Sequence, residues 1–158
     1  NIPEDRVSVL IGPKGTTKRR IEKLGKSKLK ISNNGNVTIE GENLIVKSVV
    51  EAIGRGFNPR TAMKLFDEEN TLEIIELTEY SDSKSRLGVI RARVIGREGS
   101  VRKSIEVQTG VNLAIKGKTV SIIGKPESVY LARRSLEMIM AGSQHGSSFR
   151  WLKDQLSD

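Results

Sequence analysis

A chain of 158 residues with 27 Lys and Arg against 19 Asp and Glu carries a net charge of +8, which suits an anionic partner and puts nucleic acid first. It has no cysteine and one histidine, His145, which excludes a disulfide framework and thiolate chemistry and argues against a transition-metal site built from its own side chains. No apolar run is long enough to span a bilayer and no stretch has a signal peptide's layout, so a soluble, cytoplasmic chain with no membrane partner is expected.

In chain order, residues 3–11 read as a short helix with Pro3 in its first turn, ending at the glycine bracket Gly12-Pro13-Lys14-Gly15. Residues 16–24 follow as an amphipathic helix with Thr17 and Ile21 four apart. Residues 28–32 and 37–39 alternate as strands around the turn Asn33-Asn34-Gly35-Asn36, a β-hairpin, and a helix over 44–53 stops before Gly54 and Gly56. Residues 58–69 have Asn58 at the cap, Pro59 in the first turn and Ala62, Leu65 and Phe66 at helical spacing, which predicts a packed connector helix rather than a floppy linker.

The same series then recurs. Residues 71–79 form an apolar stretch rich in Ile, Leu and Thr that predicts a strand, and 81–86 are polar and aperiodic, which predicts a mobile loop. A helix over 87–95 leads to a second bracket, Gly96-Arg97-Glu98-Gly99, and a helix with Val101 and Ile105 four apart. The hairpin 112–116 and 119–123 turns at Gly117-Lys118, a helix over 126–141 precedes Gly142, and 147–156 form a tail helix. Only Asn1-Ile2 stand where the strand before the second bracket would have its counterpart, and the chain opens without methionine, so further residues upstream of Asn1 are expected.

A paired GxxG means little alone, because 15 glycines in 158 residues give about 1.4 such brackets by chance. The framing decides. A constant shift of 84 positions aligns Ile11/Ile95, Gly12/Gly96, Gly15/Gly99, Ile21/Ile105, Glu22/Glu106, Leu29/Leu113 and Ile31/Ile115. Dropping one loop residue then pairs Val37/Val120, Ile39/Ile122 and Gly41/Gly124. One module is written twice.

The order strand, helix, GxxG, helix, strand, strand, helix, with Ile-Gly-x-x-Gly and an isoleucine six residues after the second glycine, resembles a type I KH domain. The resemblance implies an α+β fold of two tandem type I KH domains, each a three-stranded sheet packed against helices. The boundaries expected are 1–56 for the first, lacking most of its first strand, 57–70 for the connector helix, 71–142 for the second and 143–158 for the tail. It also implies a clamp for about four nucleotides of single-stranded RNA, with bases in an apolar groove beside it.

The clamp residues implied are Gly12, Pro13, Lys14 and Gly15 with Lys18 and Arg19, and Gly96, Arg97, Glu98 and Gly99 with Arg102 and Lys103. The groove walls implied are Ile11, Ile21, Leu29 and Ile31 in the first unit and Ile95, Ile105, Leu113 and Ile115 in the second, some of them being ordinary core. Elementary physics agrees, because glycines let a sugar-phosphate backbone approach closely and the amides at the start of the next helix favour phosphate. Two positions depart from the family's usual filling. Pro13 has no amide hydrogen, and Glu98 puts a carboxylate where phosphate passes. The second bracket is expected to matter at least as much, since Arg91, Arg93, Arg97, Arg102 and Lys103 surround it.

Two segments sharpen the resemblance. Residues 52–59, Ala-Ile-Gly-Arg-Gly-Phe-Asn-Pro, and 145–152, His-Gly-Ser-Ser-Phe-Arg-Trp-Leu, resemble hallmark segments of the Dim-two family, also called partner of Nob-one, which are small-subunit ribosome assembly factors. Membership implies binding near the 3′ end of small-subunit ribosomal RNA, cooperation with a Nob-one-type endonuclease and, in archaea, contact with the alpha subunit of initiation factor two. The lack of an acidic extension on either side points to an archaeal member.

Catalysis has no candidate. Gly25-Lys26-Ser27 ends like a phosphate-binding loop, but the first glycine of that motif would fall on Arg20, and His145 has no partner histidine or cysteine. No enzyme activity and no cofactor are expected, and His145 reads as a structural or RNA-contacting loop residue. Phe149 and Trp151 read as anchors of the tail helix rather than base platforms, and Lys26, Lys28 and Lys30 as strand-edge protection. Two rival readings stand beside the ribosomal one: another KH adaptor, exosome- or transcription-linked, and a protein-interaction scaffold in which one unit has lost RNA binding.

Overall fold

A computed structural model describes residues 1–157 and divides the chain into two compact units, Asn1–Leu72 and Glu73–Asp158. In the first unit a 3-10 turn, Glu4–Arg6, runs into α1 (Val7–Ile11), followed by α2 (Thr16–Gly25), β1 (Lys28–Ile31), β2 (Val37–Glu40) and α3 (Leu44–Gly54). The connector is α4 (Pro59–Ala62) continued by a 3-10 turn, Met63–Phe66, so the single helix expected over 58–69 is split and shorter. Asn58 caps it, its side chain accepting from the Thr61 amide.

β3 (Thr71–Glu76) begins at the boundary and runs into the second unit, which continues with α5 (Lys84–Ile95), α6 (Ser100–Thr109), β4 (Asn112–Lys116), β5 (Thr119–Gly124), α7 (Pro126–Met140) and α8 (His145–Leu156). The expected strand 71–79 stops at Glu76 and gives way to a 3-10 turn at Leu77–Glu79. The expected loop 81–86 is corrected in part. Lys84, Ser85 and Arg86 are the first turn of α5, because the Ser83 side chain accepts from the Arg86 amide and caps the helix.

The sheets follow from the hairpins. β1 and β2 pair antiparallel with Leu29 opposite Ile39, and β4 and β5 pair with Leu113 opposite Ile122. The second unit has three strands in the order β3-β5-β4, so β5 is central and buried at every position. The first unit has two, and its chain enters where a third would finish: the Ile2 amide donates to the Gly35 carbonyl at 2.8 Å, as the Leu77 amide donates to Lys118 at 2.8 Å.

Each unit has its own core. In the first, Leu10, Ile21, Val46, Val49 and Ile53 are fully buried. In the second, Ile90, Val94, Ile105, Val120, Ile122, Leu136 and Ile139 form the centre of one cluster. Each closing helix is held at its C-terminal end by an arginine. Arg6 donates to the carbonyls of Ile53 and Phe57, both at 2.7 Å, and Arg93 donates to those of Ile139, at 2.7 Å, and Ser143. A cation there also matches the negative end of the helix dipole.

Candidate nucleic-acid interface

The two brackets share one backbone. Gly12 and Gly96 have φ/ψ of 75/172° and 75/173°, and Gly15 and Gly99 have 73/15° and 77/15°. Between them Lys14, at 53/28°, and Glu98, at 54/27°, take the left-handed conformation that L residues adopt only at a cost. The first glycine of each bracket is required twice over. A Cβ on Gly12 would sit 2.3 Å from Thr17 Oγ1, and one on Gly96 would sit 2.4 Å from Val101 Cγ2. The turn is closed by the Gly15 amide on Gly12 at 3.1 Å and the Gly99 amide on Gly96 at 3.2 Å, and the amides that open α2 and α6, of Thr16 and Ser100, donate to the Pro13 and Arg97 carbonyls.

The cations lie against these turns. Arg19 Nη1 is 3.0 Å from the Cβ position of Gly15, and Arg102 Nη2 and Lys103 Cε are each 3.8 Å from that of Gly99. Beside the first bracket a cleft of about 270 Å³ is lined by Thr16, Thr17, Arg20, Pro59, Arg60 and Met63. The Thr16 hydroxyl there is spent on the Pro13 carbonyl at 2.8 Å, and the guanidinium groups of Arg20 and Arg60 are the ones that suit a phosphate leaving the turn.

The charge count changes when partners are included. Arg93, expected among the cations around the second bracket, spends both terminal guanidinium nitrogens on carbonyls of α7 and the turn after it. Arg102 is bonded to Glu106 at 3.1 Å. Among the described residues, the cations free of ion pairs are thus Lys14, Lys18, Arg19 and Arg20 at the first bracket and Arg91, Arg97 and Lys103 at the second, which also carries Glu98.

The eight groove residues separate into two sets. Ile21 and Ile105 are fully buried, and Leu29 and Leu113 almost so, which makes all four core rather than groove wall. Ile11, Ile31, Ile95 and Ile115 are half-exposed, with Ile115 also packed on the core of its unit. Lys30 pairs with Glu40 at 2.9 Å on the exposed hairpin, in keeping with an edge role.

The identity Glu22/Glu106 has a structural cause that residue type alone does not signal. Glu22 Oε2 accepts from the Leu29 amide at 2.8 Å and Glu106 Oε2 from the Leu113 amide at 2.9 Å, tying the helix after each bracket to the next strand. The hallmark segments are likewise staples. His145 opens α8 rather than lying in a loop, with Nε2 2.9 Å from the Arg93 carbonyl and its ring stacked on Phe149 at 6.4 Å. Ser148 donates to the Ser135 carbonyl at 2.9 Å, and Leu152 is fully buried.

Among the described residues no group of three or more His, Cys, Asp or Glu is placed to hold a metal ion, and no helix is long and apolar enough to cross a membrane.

A family model for the second PNO1 KH domain, described as a eukaryotic type KH-domain (KH-domain type I), matches residues 71–156. A KH domain-containing protein of Methanocaldococcus jannaschii is 42% identical over 160 residues, covering 96% of this chain and 70% of that one. The crystal structure of Dim2p from Pyrococcus horikoshii OT3 superposes with a TM-score of 0.90 at 40% identity, covering 98% of this chain and 96% of that chain. A chain in the a/eIF2alpha-aDim2p-rRNA complex from the same organism gives 0.90 at 41% identity, covering 98% and 90%. A protein of unknown function from Aeropyrum pernix gives 0.92 at 29% identity, covering 98% and 87%.

Proposed function

Because the chain belongs to the Dim2/PNO1-type family of type I KH proteins, we propose that it binds single-stranded RNA through its two GxxG turns and serves, without catalysis, as a small-subunit ribosome assembly factor on the 3′ region of the ribosomal RNA. The observation that carries this reading is the match of the two brackets to within a few degrees of φ and ψ, each with cationic side chains against its second glycine. A strained turn kept twice, at the head of a helix and flanked by cations, fits a site where a phosphate backbone passes close to the chain.

The solved complex of a relative with a/eIF2alpha and rRNA supports ribosomal RNA as the ligand and the alpha subunit of initiation factor two as a protein partner here. A Nob-one-type endonuclease is the partner we assign to the cleavage step at that RNA end.

The test is affinity for a single-stranded RNA matching the small-subunit 3′ end over a salt series, for wild type and for Pro13→Asp/Lys14→Asp and Arg97→Asp/Glu98→Asp. Roughly four contacted phosphates give a slope of log K on log salt of about −3. At least one variant loses affinity while keeping its melting temperature. If both bind like wild type, the clamp reading is wrong and a protein-interaction scaffold replaces it.

A further inference from the structure

We propose that the start of α5 and the turn between β4 and β5 form a pocket for one nucleobase of the bound RNA, beyond the strand held at the second bracket. A hollow of about 280 Å³ lies there. Leu77 and Leu87, both buried, give it an apolar lining, and Lys84, Arg91 and Lys118, all exposed, bring three positive charges to it. Among the described residues no carboxylate lines the hollow and none of these three cations forms an ion pair. Three like charges around apolar surface repel one another when empty, and a ligand with an apolar ring and adjoining phosphates satisfies both features.

Gly88 is the second, independent observation. It lies inside the 12-residue helix α5, where glycine costs about 1 kcal/mol against alanine. Nothing in the fold requires it. Its φ is not in the positive range, and a Cβ there would meet no atom within 4 Å. Helical Gly54 shows the contrast, since its Cβ would strike Ile2 Cγ2 at 2.7 Å and packing alone accounts for it. Gly88 lines the hollow, so the missing side chain leaves room for a ligand to lie against the helix backbone.

One face of α5 runs from the hollow towards the bracket. Lys84, Gly88, Arg91 and Ile95 recur at i, i+4, i+7 and i+11 on one face of α5, and Gly88 stands about 12 Å along the axis from Gly96. A single strand leaving the bracket along this face reaches the hollow. The first unit has no equivalent: the shift of 84 puts Glu4 opposite Gly88 and Val7 opposite Arg91, and the hairpin alignment puts Gly35 opposite Lys118. The pocket therefore gives the second unit a longer footprint and a preference of its own.

This inference rests on the RNA-binding reading, and its test separates the two. Fluorescein-labelled RNAs of four to eight nucleotides, carrying the 3′-terminal sequence of small-subunit ribosomal RNA, are titrated with the full chain. Wild type gains roughly tenfold in affinity once the RNA is long enough to fill the hollow, the value of one well-placed base. Gly88→Leu loses that gain and keeps wild-type affinity for the shortest RNA. Gly88→Ala melts higher than wild type, yet loses part of the gain. Lys84→Ala and Lys118→Ala each flatten the salt slope by about 0.7 per lost phosphate contact, on long RNAs only. A Gly88→Leu variant with the full gain overturns the pocket, even where Arg97→Asp/Glu98→Asp weakens every RNA. Arg97→Asp/Glu98→Asp binding like wild type overturns the clamp at that bracket instead, and Gly88→Leu still decides the pocket.

Discussion

Glu98→Lys isolates charge at the second bracket from everything else. The first bracket already holds a lysine at the matching position with the same backbone, Lys14 at 53/28° against Glu98 at 54/27°, so the exchange asks for no conformational change. It alters local charge by two units. With a phosphate about 5 Å from the side-chain charge, each unit is worth about 0.8 kcal/mol in bulk water, or about 1.7 for the exchange. Screening at 0.15 M salt, where the Debye length is about 8 Å, leaves about 0.9 kcal/mol, roughly a fourfold gain in RNA affinity. At 0.01 M salt the length is about 30 Å, and the gain is about 1.4 kcal/mol, or tenfold. Fluorescence anisotropy with a single-stranded RNA at the two salt concentrations reads both values, and thermal denaturation is unchanged. Equal affinity of Glu98→Lys and wild type at low salt refutes passage of a phosphate by this turn, and a lower melting temperature refutes the conformational equivalence of the two brackets.

The two glycines of a bracket differ in cost: Gly96→Ala, whose Cβ meets Val101 at 2.4 Å and whose backbone suits only glycine, loses more than about 2 kcal/mol in urea denaturation, while Gly99→Ala, with nothing nearer than 3.8 Å, loses about 1. Glu106→Ala strands the Leu113 amide and breaks the pair with Arg102, costing about 2 kcal/mol in the same assay, with faster hydrogen exchange at Leu113; Glu106→Gln keeps an acceptor and costs less than half of that. Burial of Tyr80 against the core of its unit, with smaller pushes from Glu137 and Glu79, raises its phenol above the ordinary value of 10. Its neutral form is thus favoured in the fold, so the contribution is whole below pH 10 and is lost as pH rises through the folded value, and Tyr80→Phe melts with a flatter dependence in that range.

The repeat made the architecture legible because it rests on short-range features. Helix caps, hairpin turns and apolar spacing are local, and the elements on both sides of each bracket fall within a few residues of where their patterns put them. What sequence concealed depends on partners far along the chain. Arg93 counts as one more positive charge until its acceptors, 46 and 50 residues away, are seen. Lys84–Arg86 read as loop because the first turn of an exposed helix has no apolar side, and only the cap at Ser83 betrays it. The apolar set was half legible for a related reason: alternation marks Leu29 and Ile31 alike as apolar, yet Leu29 is buried in the core and Ile31 is partly exposed.

Comparison of the units separates the scaffold from its ligand-facing surface. Identity persists where a side chain or its absence holds backbone: Gly12/Gly96 at the close contact, Glu22/Glu106 on the strand amide, Ile21/Ile105 in the core. Difference collects where side chains meet solvent. In the repeat alignment Lys14 stands at the position of Glu98, Arg20 of the cleft at that of Ser104, and Glu4 at that of Gly88 of the hollow. A duplicated module under pressure only to fold would drift at all exposed positions alike, with cations and acids scattered. Here the first unit concentrates ion-pair-free cations at its bracket and cleft, while the second has fewer at its bracket and a further set at the α5 hollow. Such a division fits a strong phosphate clamp in one unit and a base-contacting track in the other, so exchanging Lys14 and Glu98 between the brackets shifts which unit holds an RNA without altering the fold of either.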